Sequence, residues 1–146
     1  MDQADIDLRN ATYAALIELG RAPTSVEVAA TADATVEAVV EGWRRLHNGH
    51  ALVLDAEGAI AMLNPFAAKP TPFVVEAAGR SWYGNCGWDA LGIGAALGVD
   101  SEIHTTCADC AEPVAIRVRG GLPLDTSPVF HVLVPAVQWW DNIGFT

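Results

Sequence analysis

The first third of the chain repeats its apolar positions at helical spacing. Over residues 5–19 they fall at Leu8, Ala11, Ala15, Leu16 and Leu19, one stripe of an amphipathic helix, and Gly20 follows as a C-terminal cap. Thr24 and Glu27 have the spacing of a capping box and open a second, short helix that runs to about Thr31. Asp33 or Thr35 can cap a third, whose face is Val36, Val39, Val40, Trp43 and Leu46. His47-Asn48-Gly49-His50 ends it. Leu52-Val53-Leu54 and Ile60-Ala61-Met62 then flank Asp55-Ala56-Glu57-Gly58, which predicts a hairpin. Three short helices and a hairpin over residues 1–65 make a winged-helix-like arrangement.

Beyond it the pattern turns to short β-like runs. Asn64-Pro65-Phe66 to Thr71-Pro72 reads as a proline-bearing linker. Phe73 to Glu76 reads as a strand, Gly79-Arg80 as a turn, and Ser81-Trp82-Tyr83 leads into Gly84-Asn85-Cys86-Gly87-Trp88-Asp89-Ala90-Leu91-Gly92. Trp88 to Leu97 predicts a short buried helix. Glu102 to Thr106 is β-like, Cys107 to Cys110 a turn, and Val114 to Val118 an alternating strand. Gly120-Gly121 and Pro123 interrupt the chain. Val129 to Val134 predicts a strand stopped by Pro135, and Ala136 to Ile143 a last short helix. The class is α+β.

The size, 146 residues, fits one domain or two small ones sharing an interface, and an apolar fraction of 51% is ample for a core. No run reaches the ~18 apolar residues of a membrane span. Met1-Asp2-Gln3-Ala4-Asp5 lacks the basic and apolar parts of a signal peptide, so the expected location is cytoplasmic. There the three cysteines read as thiols rather than as a disulfide framework. The formal charge of −10 argues against nucleic acid and against an anionic membrane surface as partners. Residues 1–65 hold four Arg against ten Asp and Glu, and the third helix offers only Arg44 and Arg45. A winged-helix regulator is thereby disfavoured.

The chemistry centres on Cys86 and Asp89. A cysteine near a helix N-terminus meets free amide N–H groups and the positive end of the dipole, which favour a thiolate. A spacing of three puts Asp89 on the same face, so a nucleophilic sulfur lies beside a proton carrier. The bland alternative is a small buried hydrophobe and a capping carboxylate. Cys107-x-x-Cys110 is half of a metal site. A tetrahedral zinc would need two more ligands, for which His104 and His131 are candidates; a free-thiol turn or a redox pair are the alternatives. Trp82, Tyr83, Trp88, Trp139 and Trp140 pack a core or wall an apolar pocket around Cys86.

The blocks Asn64-Pro65-Phe66, Thr71-Pro72-Phe73, Trp82 to Gly92, Val134-Pro135-Ala136 and Trp139-Trp140-Asp141-Asn142-Ile143-Gly144-Phe145-Thr146 resemble the alkylmercury lyase (organomercurial lyase) family. The Cys-x-x-Asp block is the specific part. The resemblance implies the winged-helix-like domain packed on a small mixed β-sheet domain with short helices over residues 66–146. It implies protonolysis of a carbon–mercury bond in a small organomercurial, giving a hydrocarbon and mercury(II), with Cys86 and Asp89 catalytic and Cys107 structural. No cofactor is implied; an external thiol is the expected co-reactant. In the family a second catalytic cysteine follows directly after the segment similar to Phe145-Thr146, where this sequence stops. The resemblance then implies either a C-terminally incomplete domain or a member that lacks the second thiol; without that thiol, a second sulfur must come from Cys107, Cys110 or an external thiol. A non-enzymatic binder of soft metals, built on Cys86, Cys107 and Cys110, is the competing reading; it requires the three sulfurs to converge.

Overall fold

The computed structural model describes residues 1–143; Gly144-Phe145-Thr146, part of the family-like block, lie outside them. Three helices open the chain: α1 (Gln3–Leu19), α2 (Ser25–Ala32) and α3 (Val36–Asn48). Asp2 caps α1 by accepting from the Asp5 amide, and Gly20 ends it at φ 69°, a left-handed conformation that glycine adopts without a Cβ penalty. The capping box is present at α2, with Thr24 and Glu27 each satisfying the other's backbone N–H. Asp33 ends α2, and Thr35 caps α3. Val39, Trp43 and Leu46 are buried on α3 as its periodicity requires. The Trp43 indole N–H donates to Thr12 Oγ1 at 3.0 Å inside the core, and Thr12 in turn donates to the Leu8 carbonyl.

Strands β1 (Val53–Leu54), β2 (Ile60–Leu63) and β3 (Phe66–Ala67) form an antiparallel three-stranded sheet. The segment read as a linker thus contains a strand: Phe66 pairs with Leu63 and is buried, so the apolar Phe outweighs the adjoining prolines. The remaining strands are β4 (Val74–Ala77), β5 (Arg80–Tyr83), β6 (Ser101–Thr106), β7 (Pro113–Arg119) and β8 (Leu122–Pro123), in the spatial order β5-β4-β6-β7-β8. Every described pairing is antiparallel, where the resemblance implied a mixed sheet. Hairpins join most neighbours, and β5 and β6 flank β4 from opposite sides. Helix α4 (Gly87–Leu97) makes that crossing.

The expected strand over Val129 to Val134 does not form. The segment is irregular and exposed, except for half-buried Val134. Pro128 and Pro135 bracket it and lack ladder donors. Instead of joining the sheet it lies across the start of α4, where Phe130 packs close to Gly87. A 3-10 helix over Ala136–Asp141 follows, near the expected position.

A single buried cluster runs from Ala15, Leu16, Val28 and Trp43 through Leu63 and Phe66 to Val75, Trp82, Ile93 and Ile103. Phe66 and Trp82 meet edge to face across it at 5.2 Å. Arg80, on β5, donates to the Ile17 and Glu18 carbonyls at the end of α1, each at 2.8 Å. The helical and sheet parts therefore share a core. No described helix is long and apolar enough to cross a membrane.

Candidate active site

Cys86 is the N-cap of α4, in extended backbone, and Asp89 lies in the first helical turn. Gly84 sets this junction. A Cβ there would stand 2.8 Å from the Ala90 nitrogen, so only glycine lets the end of β5 approach the helix so closely. The Gly84 amide donates to the Phe73 carbonyl at 3.0 Å, and Thr71 Oγ1 donates to the Gly84 carbonyl at 2.7 Å. The turn that carries Cys86 is thus held by backbone bonds rather than by the cysteine.

Cys86 and Asp89 line one cavity of about 240 Å³. Phe73 and Met62 form part of its wall, and the 130–134 strap with Trp139 and Trp140 closes the other side. Trp139 donates its indole N–H to the Val134 carbonyl at 2.7 Å, which ties the strap to the 3-10 helix. Trp140 stacks on His50 at 4.1 Å with the rings 6° from parallel, which ties that helix to the N-terminal part. Of the aromatic residues expected around Cys86, Trp139 and Trp140 are there. Trp82 is in the core, and Trp88 is 63% exposed.

The electrostatics depart from the thiolate expectation. Burial pushes the Cys86 thiol up, and the Asp89 charge adds to this; the Asp89 and Trp88 amides oppose it without prevailing. Desolvation outweighs the helix terminus because the strap and the aromatic wall take water away from the sulfur. Asp89 is also moved up by burial, against a lowering hydrogen bond from Asn85. Burial thus moves both the thiol and the neighbouring carboxylate upward from their ordinary values.

Asn85 is the residue whose role sequence reading missed. Its amide N–H groups reach Asp89 Oδ2 at 3.0 Å and Asn64 Oδ1 at 3.1 Å. The Asn64 carbonyl accepts from the Tyr13 hydroxyl at 2.8 Å, and Arg9 lies over the Tyr13 ring at 4.8 Å. The i, i+4 spacing of Asn85 and Asp89 was the local signal; the links to Asn64 and Tyr13 had none.

The other candidates lie elsewhere. Cys107 is half-buried and Cys110 exposed at the β6–β7 turn, and neither lines the cavity. The Cys110 and Asp109 amides, then the Cys110 thiol, hold the Cys107 thiol below its ordinary value. His131 lines the Cys86 cavity, whereas His104 sits on β6, 3.7 Å from Glu102. The four proposed zinc ligands do not converge, and no group of three or more His, Cys, Asp or Glu among the described residues could hold a metal ion.

Among solved structures, the crystal structure of the mercury-bound form of MerB2 is similar, with a TM-score of 0.68 and 24% identity. The match covers 88% of this chain and 61% of that one, so this chain spans less than two thirds of its length. The likeness bears on the fold, and it takes in the helical part as well as the sheet. No curated protein sequence matches. Residues 66–146, more than half of the chain, match the family described as MerB: Alkylmercury lyase. They contain Cys86, Asp89, Asn85 and the strap that covers them. The chain belongs to the alkylmercury lyase family.

Proposed function

We propose that this chain cleaves carbon–mercury bonds by protonolysis, with Cys86 and Asp89 as the catalytic residues. The observation that carries this reading is that the Cys86 thiol and the Asp89 carboxylate line one largely apolar cavity at the start of α4. Mercury is soft, and a thiolate is the soft ligand a protein offers. Cys86 sulfur bonds to mercury and displaces the substrate's exchangeable ligand, while Asp89 takes the thiol proton. A second sulfur, from an external thiol that gives its proton to solvent, bonds to the same mercury and raises electron density at the attached carbon. Asp89 then acts as general acid and delivers a proton to that carbon. The carbon–mercury bond breaks, the hydrocarbon leaves, and mercury(II) remains between two sulfurs. Its oxidation state does not change. The apolar wall holds the alkyl or aryl group and keeps water from the proton path.

Benzene release from a phenylmercury salt in excess monothiol tests the reading. Cys86→Ser abolishes release, and Asp89→Asn lowers it by roughly 100-fold or more, the usual worth of a positioned acid–base group. Benzene release from Cys86→Ser at the unsubstituted rate would sink the proposal.

A further inference from the structure

We propose that Cys107 and Cys110 form a second thiol site, separate from the Cys86 cavity, that binds mercuric ion as a two-coordinate dithiolate. The ladder between β6 and β7 ends at the pair Thr106 and Pro113, leaving residues 107–112 as the hairpin tip. The Ala111 amide donates to the Cys107 carbonyl at 2.9 Å, and the Cys107 amide to the Glu112 carbonyl at 2.8 Å. The first bond closes one helix-like i, i+4 turn. Residues three apart in such a turn face the same side, with Cβ atoms about 5–6 Å apart. Ala111 completes it at φ 58°, a left-handed conformation that a residue with a Cβ rarely adopts. The tip thus holds a conformation that brings its two thiols together.

The donor set selects the ligand. With two sulfurs and no third donor converging among the described residues, tetrahedral zinc is not satisfied. A soft cation content with two thiolates is. Asp109 and Glu112, in the same tip, are hard donors that add negative charge without competing for it. The choice of mercuric ion rests on the proposed reaction, which produces it at the same end of the sheet: β4 begins, and β5 and β6 end, there, with the Cys86 turn following β5 and the dithiol tip following β6. On binding, two sulfur–mercury bonds form and two thiol protons go to solvent. Nothing is oxidised or reduced.

The test uses the whole chain carrying Cys86→Ser, dialysed against mercuric chloride in excess monothiol. One mercuric ion per chain is retained, and Cys86→Ser/Cys110→Ser weakens retention by about 100-fold or more, the gain expected when the second ligand is intramolecular. Equal retention by the two chains, or none by Cys86→Ser, overturns the proposal. A second measurement needs no further substitution. Stoichiometric mercuric ion protects both Cys107 and Cys110 of Cys86→Ser from alkylation, read by peptide mass, and alkylation of either overturns the proposal. Neither measurement involves turnover, so a lost second site leaves benzene release by the unsubstituted chain intact, and a chain without lyase activity can still retain the ion.

Discussion

At the scale of single residues, the site is governed by a contest over one carboxylate. Burial raises Asp89, and the Asn85 amide opposes it. A hydrogen bond to a carboxylate favours the charged form, so removing it lets desolvation act alone. Asn85→Ala therefore raises Asp89 further. The proposed first step needs ionised Asp89, which is lost as pH falls through its pKa. The acidic limb of kcat/KM for benzene release shifts to higher pH in Asn85→Ala, and an unmoved limb would remove Asn85 from the proton path. Tyr13 is coupled to the same charge: burial raises its hydroxyl most, Arg9 opposes, and Asp89 adds to the rise.

At the scale of elements, α4 and the strap over it form the cavity together. A Cβ on Gly87 would stand 2.5 Å from the Phe130 ring, and the ring belongs to the strap. Gly87→Ala displaces the strap and opens the cavity. The expected result is weaker discrimination between phenylmercury and methylmercury substrates with little loss of melting temperature, since Phe130 is already 45% exposed. The capping box of α2 makes a separate prediction. Thr24→Ala costs about 1 kcal/mol in denaturant unfolding, the usual worth of an N-cap. Glu27 donates no proton there but accepts from Arg21 and from the Thr24 amide, which lower it from 4.5 to about 2. Because its folded value is depressed, its contribution is present above pH 4.5 and lost as pH falls toward 2. Glu27→Gln flattens the melting-temperature profile over that window. The Arg21 pair is exposed and screened, so the slope is modest and weakens with salt.

For the whole molecule, the shared core predicts cooperative behaviour. Trp43 reports the helical part and Trp82 the sheet part, and both lie in the same buried cluster. Unfolding in urea gives coincident transitions by tryptophan fluorescence and by far-ultraviolet circular dichroism. Two separated transitions would show that the parts on either side of residue 65 are energetically independent. Thr12→Val leaves the buried Trp43 indole N–H without its acceptor and costs about 1–3 kcal/mol. The same core explains how α1, remote in sequence from Cys86, reaches the site: Tyr13 holds Asn64, and Asn64 meets Asn85.

The sequence by itself determined what depends on short-range order. Helix periods, the Thr24–Glu27 box, the Gly20 cap and the Asp55–Gly58 hairpin involve residues a few positions apart, and their local geometry is the same wherever they occur. The Cys86 and Asp89 pair was legible for the same reason, since a spacing of three keeps an N-cap residue and a first-turn residue within one turn. Tertiary structure alone decided the rest. A β-like stretch becomes a strand only beside an open ladder: Phe66 found β2, whereas Val129 to Val134 became a cover for α4. The upward shift of the Cys86 thiol comes from burial, a long-range property that outweighs the local pull of the Asp89 and Trp88 amides. The Asn85–Asn64–Tyr13 chain joins three elements brought together by the core, and no spacing along the chain encodes such a meeting.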